Sequence, residues 1–170
     1  MSAIRLGWYK IHYPMQFYAA FLSVAPGGFD AEIVMGGKRM IRDLIQELEK
    51  KGTGATQKES EQLATMQLVY EAMQRGVRFM APDLYRSDAK YFLPEEGKIR
   101  MPFNALNGVG DTAAQKIAEV AKEGEIYSVE DLRNRAGLSK TVIETLRRGG
   151  VLSKLSETNQ LDMFSMVFGN

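Results

Sequence analysis

Apolar residues recur along this chain in two rhythms, and the change between them divides it. From Pro14 onward, Met15, Tyr18, Ala19 and Leu22 fall at the three-and-four spacing of one helix face, with Phe17 and Phe21 beside them. Pro14 suits a first helical turn, where its missing N–H costs nothing, and Pro26-Gly27-Gly28 is expected to stop the helix. Met40, Ile41, Leu44, Ile45 and Leu48 form an amphipathic stripe on a second helix, from about Lys38 to Lys51, ended by Gly52 and Gly54. Thr56-Gln57-Lys58-Glu59 reads as a capping box. Behind it Leu63, Met66, Tyr70 and Met73 keep a helical face up to Gly76, placed where a C′ glycine belongs. At Pro82 the rhythm breaks into short, aromatic-rich pieces: Leu84-Tyr85, Tyr91-Phe92-Leu93, then Ile99 and Met101. These predict a small β-hairpin near residues 84–101. Helical spacing then returns in Asp111 to Glu123, Ser128 to Ala136 and Ser139 to Arg148, with Ser128, Asp131 and Ser139 as capping residues.

The pattern therefore predicts a mainly α protein in three parts. Residues 1–100 form a helical region with the small β-hairpin, residues 101–152 a second helical module, and residues 153–170 a polar linker and flexible tail. A length of 170 residues, 45% hydrophobic and 25% charged, fits one domain or two small ones with a real core. No apolar run approaches the ~20 residues that cross a bilayer, and residues 1–10 lack the apolar core of a secretory signal. Zero cysteines exclude disulfides, thiolate metal sites and cysteine nucleophiles, and the single His12 excludes a metal centre built on two histidines.

The module after residue 104 carries the first candidate chemistry. Leu106-Asn107-Gly108-Val109-Gly110 opens a helix, and two glycines permit a tight turn with positive φ. The helix behind it points unpaired N–H groups and a positive dipole end outward, for which a phosphate oxygen is a natural ligand. Thr112 and Lys116, in the first two turns, add a hydroxyl and a charge. Ala136-Gly137-Leu138-Ser139-Lys140 repeats the design in degenerate form. The near-neutral total, +1, hides a contrast: residues 117–131 carry a net −4, whereas Arg133, Arg135, Lys140, Arg147 and Arg148 against Glu144 give residues 132–148 a net +4. A lone G-x-G between helices is most often only a turn. The order of apolar and glycine residues, the immediate helix and the second unit instead favour a tandem helix–hairpin–helix module that grips the DNA backbone without reading sequence. The candidate contacts are Gly108, Val109, Gly110, Thr112, Lys116, Gly137, Ser139 and Lys140.

The second constellation is Gln160-Leu161-Asp162-Met163-Phe164, after a polar stretch that starts near Ser153. Apolar side chains on such a tail need a pocket, either on this protein or on a partner. The pentapeptide resembles the one by which bacterial polymerases plug into the sliding clamp, with Gln160 at the rim, Leu161 and Phe164 in a hydrophobic cleft, and Met163 in place of the usual Leu.

With Tyr9-Lys10-Ile11-His12-Tyr13-Pro14-Met15-Gln16-Phe17-Tyr18-Ala19-Ala20, Asp83-Leu84-Tyr85-Arg86-Ser87 and Pro102-Phe103-Asn104-Ala105-Leu106, nearly the whole chain resembles the C-terminal portion of family C bacterial replicative DNA polymerases of the PolC type. The resemblance implies that residues 1–100 belong to the fingers. It also implies that primer–template duplex, the sliding clamp and the rest of the polymerase chain are partners in the bacterial cytoplasm, with no membrane involved. The family's catalytic aspartates and their Mg²⁺ ions lie upstream. Here seven scattered Asp residues include no Asp-x-Asp pair, so the chain is expected to be an inactive piece of a longer enzyme, holding no cofactor of its own. An independent helical DNA- or protein-interaction module is the alternative. His12 has no acidic or nucleophilic companion and is expected to be structural or substrate-facing. Trp8, Tyr9 and Tyr13 offer base-stacking surfaces, but next to an apolar helix they are expected in the core. Lys38, Arg39 and Arg42 fit either a template contact or a solvated helix face, and the ten methionines are expected to pack.

Overall fold

The computed structural model describes residues 3–25 and 27–158. Met1, Ser2, Pro26 and the segment 159–170 lie outside the described residues. Helices α1 (Ala3–His12), α2 (Pro14–Val24), α3 (Ala31–Met35), α4 (Lys38–Lys51) and α5 (Gln57–Gln74) lead into strands β1 (Phe79–Met80), β2 (Leu93–Glu95) and β3 (Lys98–Arg100). Helices α6 (Asp111–Glu123), α7 (Val129–Ala136) and α8 (Lys140–Arg148) follow, with single 3-10 turns at Gly52–Gly54 and Phe103–Ala105. The architecture is mainly α, as the periodicity predicts.

Local chemistry accounts for the long helices. Thr56 accepts from the Glu59 N–H at 3.1 Å while Glu59 reaches back to the Thr56 N–H, so the capping box forms. Three elements are additional to the periodicity. Helix α1 has apolar residues all round and so shows no face in sequence. Helix α3 is one turn and a half, nucleated by Asp30, whose carboxylate accepts from the Glu32 and Ile33 amides. Strand β1 is two residues long and exists only because β3 lies beside it in parallel register, Phe79 opposite Ile99.

The hairpin is present but smaller than the aromatic pieces suggest. Its strands are Leu93–Glu95 and Lys98–Arg100 around Glu96-Gly97, both at positive φ (50° and 80°), as a primed two-residue turn requires. Leu84-Tyr85 and Tyr91-Phe92 are loop instead. Asp83 and Asp88 carboxylates accept backbone amides two and three residues on, which bends the chain at each place. Glu95 receives Arg100 at 2.8 Å and Arg86 at 2.6 Å, and these guanidiniums, Arg100 foremost, hold its carboxyl down at about 2.

One continuous core joins the two helical regions, with Tyr18, Ile41, Met66, Ile99 and Phe103 on one side and Ile117, Leu132 and Leu146 on the other. The Tyr85 hydroxyl accepts from the Ile126 amide (2.9 Å), and the Asp88 carbonyl accepts from Phe103 (3.1 Å), so the loop before the sheet is stitched to the C-terminal module. Tyr18 is fully buried at the α2–α5 contact and its hydroxyl completes no hydrogen bond among the described residues; burial and then the Glu71 carboxylate push its pKa up to about 12. Trp8, Tyr9 and Tyr13 correct the expectation of a core position, at 50%, 42% and 48% exposed. Helix α1 packs mainly on α2, with Lys10 reaching Glu71 of α5 at 2.9 Å, and nothing among the described residues covers its outer face. Met35 and Met40 are likewise exposed rather than packed.

Candidate nucleic-acid interface

The two hairpins are built differently. The first opens on the 3-10 turn Phe103–Ala105, not on a full helix, and turns through a bond from the Val109 amide to the Leu106 carbonyl (3.0 Å). Gly108 has φ +109°, and a Cβ there would stand 3.1 Å from Thr145 Oγ1 of α8. Gly149, at the end of α8, lies against Leu106 so closely that a Cβ would sit 2.7 Å from its Cδ2. The C-terminal half of α8, at Thr145 and Gly149, therefore bears on the first hairpin through two glycine-sized gaps, and the two units close on one another. Val109 is buried, and its amide is spent on the turn, so it anchors the hairpin rather than facing outward.

Gly110 is the N-cap of α6, at φ −73°, with no side-chain cap and open space where a Cβ would go. The amides of Gly108 and Gly110 donate to no described group, and the first-turn amides Asp111, Thr112 and Ala113 project from an uncapped end. Thr112 and Lys116 line an open groove of about 570 Å³ beside this end, together with Asp111, Gln115, Glu119 and Lys90. Lys90 is a residue the sequence reading does not single out. It sits on the Asp88-anchored loop, far from the glycine motif in sequence, and only the packing of that loop against α6 brings it there.

The second hairpin is a helix end joined to a helix start. Gly137 takes the left-handed conformation (φ 64°, ψ 41°) as the C-cap of α7, and it and Leu138 both donate to the Arg133 carbonyl. Ser139 caps α8 and accepts from the Val142 amide at 3.2 Å. Of the five basic residues in 132–148, Arg135 is held by Asp131 (3.1 Å) and Glu123 (3.3 Å), and Arg147 by Glu144 (2.5 Å) and Glu157 (2.8 Å). Arg133, Lys140 and Arg148 have no intramolecular partner among the described residues and are the cations free for a ligand. The local excess of positive charge is thus smaller in effect than its net value suggests.

The chain after α8 also differs from a linker beginning at Ser153. Leu152 is buried and Leu155 packs on the core. The Val129 and Glu130 amides, at the start of α7, donate to the carbonyls of Ser156 (2.9 Å) and Glu157 (3.1 Å). Residues through Glu157 are therefore part of the module. The pentapeptide Gln160, Leu161, Asp162, Met163 and Phe164 lies outside the described residues. Among the described residues no group of three or more His, Cys, Asp or Glu is arranged to hold a metal ion, and no helix is long and apolar enough to cross a membrane.

Residues 76–161 match the family model of the helix–hairpin–helix motif. Over 96% of its length the chain is 44% identical to a protein of Caldanaerobacter subterraneus subsp. tengcongensis named DNA polymerase III PolC-type, and 43% identical to that of Clostridium perfringens. It is 39% identical over 95% of its length to the Thermotoga maritima protein of the same name. The chain spans 11–12% of the length of these curated relatives.

Proposed function

Because the chain belongs to the helix–hairpin–helix motif family, we propose that it is the duplex-gripping and clamp-tethering portion of a PolC-type bacterial DNA polymerase. The observation that carries this reading is the uncapped first hairpin, with Gly108 and Gly110 donating to no described group and the Gly110 position open to an approaching backbone. A phosphate oxygen would receive these amides with support from the α6 dipole. Thr112, Lys116 and Lys90 would flank the same strand. The second hairpin would contribute Gly137 as the turn, the Ser139 and Lys140 amides, and the free charges of Lys140, Arg133 and Arg148. Contacts of this kind position a duplex without reading its bases.

Residues 1–100 would take the place of the fingers, and Gln160 to Phe164 would hold the sliding clamp. Tethering makes rebinding intramolecular at high effective concentration, so modest duplex contacts suffice for processive synthesis. Nucleotide addition and the Mg²⁺ it needs would reside in the palm of the longer polymerase.

The test is duplex binding as a function of salt. A phosphate-dominated interface loses affinity steeply with ionic strength, by about 0.9 in log K per log salt for each phosphate neutralised. The expected result is sequence-independent binding whose salt slope falls by about one in Lys140→Ala. Flat salt dependence, or no duplex binding, overturns the assignment. Affinity for a bacterial clamp, measured beside the Leu161→Ala, Phe164→Ala double variant, tests the tail separately.

A further inference from the structure

Helix α1 has the composition of a covered helix and the surroundings of an exposed one. At about 100° per residue, Trp8 and Ile11 project from one side of it and Leu6 and Tyr9 from the opposite side, the arrangement of a helix buried all round. Trp8 is nonetheless half-exposed, and Ile11 is 67% exposed. The face continues onto α2, where Phe21 and Val24 are exposed as well. Between the two helices runs an open groove of about 210 Å³, lined by Leu6, Tyr9, Tyr13, Gln16, Phe17 and Phe21. Its rings already rest on one another. Trp8 meets Tyr9 edge-on at 5.3 Å, Tyr9 and Tyr13 lie 6.2 Å apart, and Phe17 stacks on Phe21 at 4.5 Å. Aromatic side chains held in this way lose little rotamer freedom when a partner docks.

We infer that this face seats a helix from elsewhere in a longer polymerase chain, one whose apolar stripe is edged by acidic residues. The inference rests on the polymerase reading above. The chain spans only 11–12% of the length of its curated relatives, so most of such a polymerase lies outside it. Three observations choose this occupant. Exposed apolar surface with Trp, Tyr and Phe at its centre is the composition of a protein interface. A single nucleic-acid strand needs ring faces beside available cations. Here the aliphatic Ile11 and Val24 are the most exposed large apolar side chains of the face, and Lys10 is held by Glu71 at 2.9 Å. A second copy of this chain is disfavoured by charge, because residues 1–29 contain no Asp or Glu. Two such faces would meet basic edge to basic edge, Arg5 and His12 included, whereas an acid-edged helix complements them.

Trp8 is the chain's single tryptophan, so incorporated fluorotryptophan puts one fluorine NMR probe on this face. The partner used is the unlabelled Caldanaerobacter polymerase with its matching segment deleted. Docking predicts that this remainder shifts the Trp8 signal and co-elutes with the chain in gel filtration. Tyr13→Glu and Phe21→Glu, both at exposed positions, should each weaken that binding about tenfold or more with the thermal melt unchanged. Tyr127→Glu, at an exposed ring of the other helical region, should leave it as it is. A Trp8 signal unmoved by the remainder overturns the docking, as does one moved by a single-stranded oligothymidylate or by raising the concentration of the chain alone. Co-elution without a shift, undiminished in the two variants, removes this face and keeps the polymerase reading. A shift abolished by the variants, in a chain that binds no duplex, keeps the face and removes the duplex grip.

Discussion

The two hairpins of this molecule come from similar strings of glycine and apolar residues, yet they present opposite things to solvent. In the first, the N-cap is Gly110, which has no side chain to satisfy the third amide of α6. In the second, Ser139 closes the equivalent amide, Val142, with its own hydroxyl. The first hairpin keeps its backbone donors available but carries Asp111 at the helix start. The second spends a donor and compensates with Lys140 on the first turn and Arg148 on the last. A pseudo-duplication can therefore divide labour: one copy offers dipoles fixed by the backbone, the other mobile charge. Salt screens helix-end dipoles as well as cations, but only the cations carry a full charge, so Lys140 and Arg148 should give the proposed interface most of its salt dependence.

The largest effect is expected at Gly108. Valine there meets both a left-handed φ and Thr145, so Gly108→Val should lower stability by about 2 kcal/mol or more and destroy duplex binding with it. A thermal melt unchanged from the parent would show that the hairpins do not close on each other through this glycine. Next in size, Lys140→Glu combined with Arg148→Glu should cost tenfold or more in duplex affinity at low salt, with most of the difference gone at high salt. Loss that persists at high salt would mean the second hairpin contributes direction rather than charge.

Gly110→Ser makes the first hairpin resemble the second. The new hydroxyl caps Ala113, which should stabilise α6 by about 0.5–1 kcal/mol while reducing duplex affinity several-fold. Affinity maintained in a stabilised variant would break the proposed asymmetry. The smallest effect belongs to Glu95, on strand β2. Its carboxyl is held at about 2 in the folded protein by Arg100 and Arg86, against an ordinary value near 4.5. A folded-state value below the unfolded one stabilises above about pH 4.5, and that contribution fades as pH falls toward 2. Acid unfolding of Glu95→Gln should lack this component, with duplex binding at neutral pH unaffected.

The long helices were legible in the sequence because each carries its own boundary signals. Thr56 with Glu59, Ser128 with Asp131, Ser139, and the glycines at 76 and 137 act over a few residues and need nothing from the rest of the fold. The glycine motif and the family resemblance were legible for the same reason, since both rest on contiguous strings. Tertiary structure decided the remainder. Strand β1 exists because residues twenty positions later lie beside it, and Lys90 joins the first hairpin because an Asp-anchored loop folds onto α6. Trp8, Tyr9 and Tyr13 stand exposed because, among the described residues, α1 has neighbours on one side only, which no local pattern encodes. Whether a cation is free depends in the same way on where the acids fall. Arg133 and Arg135 are two positions apart on one helix, and only the second is met by Asp131 and Glu123. Short-range capping and periodicity are written in the chain itself, whereas pairing, exposure and the identity of free charges arise when distant segments are brought together.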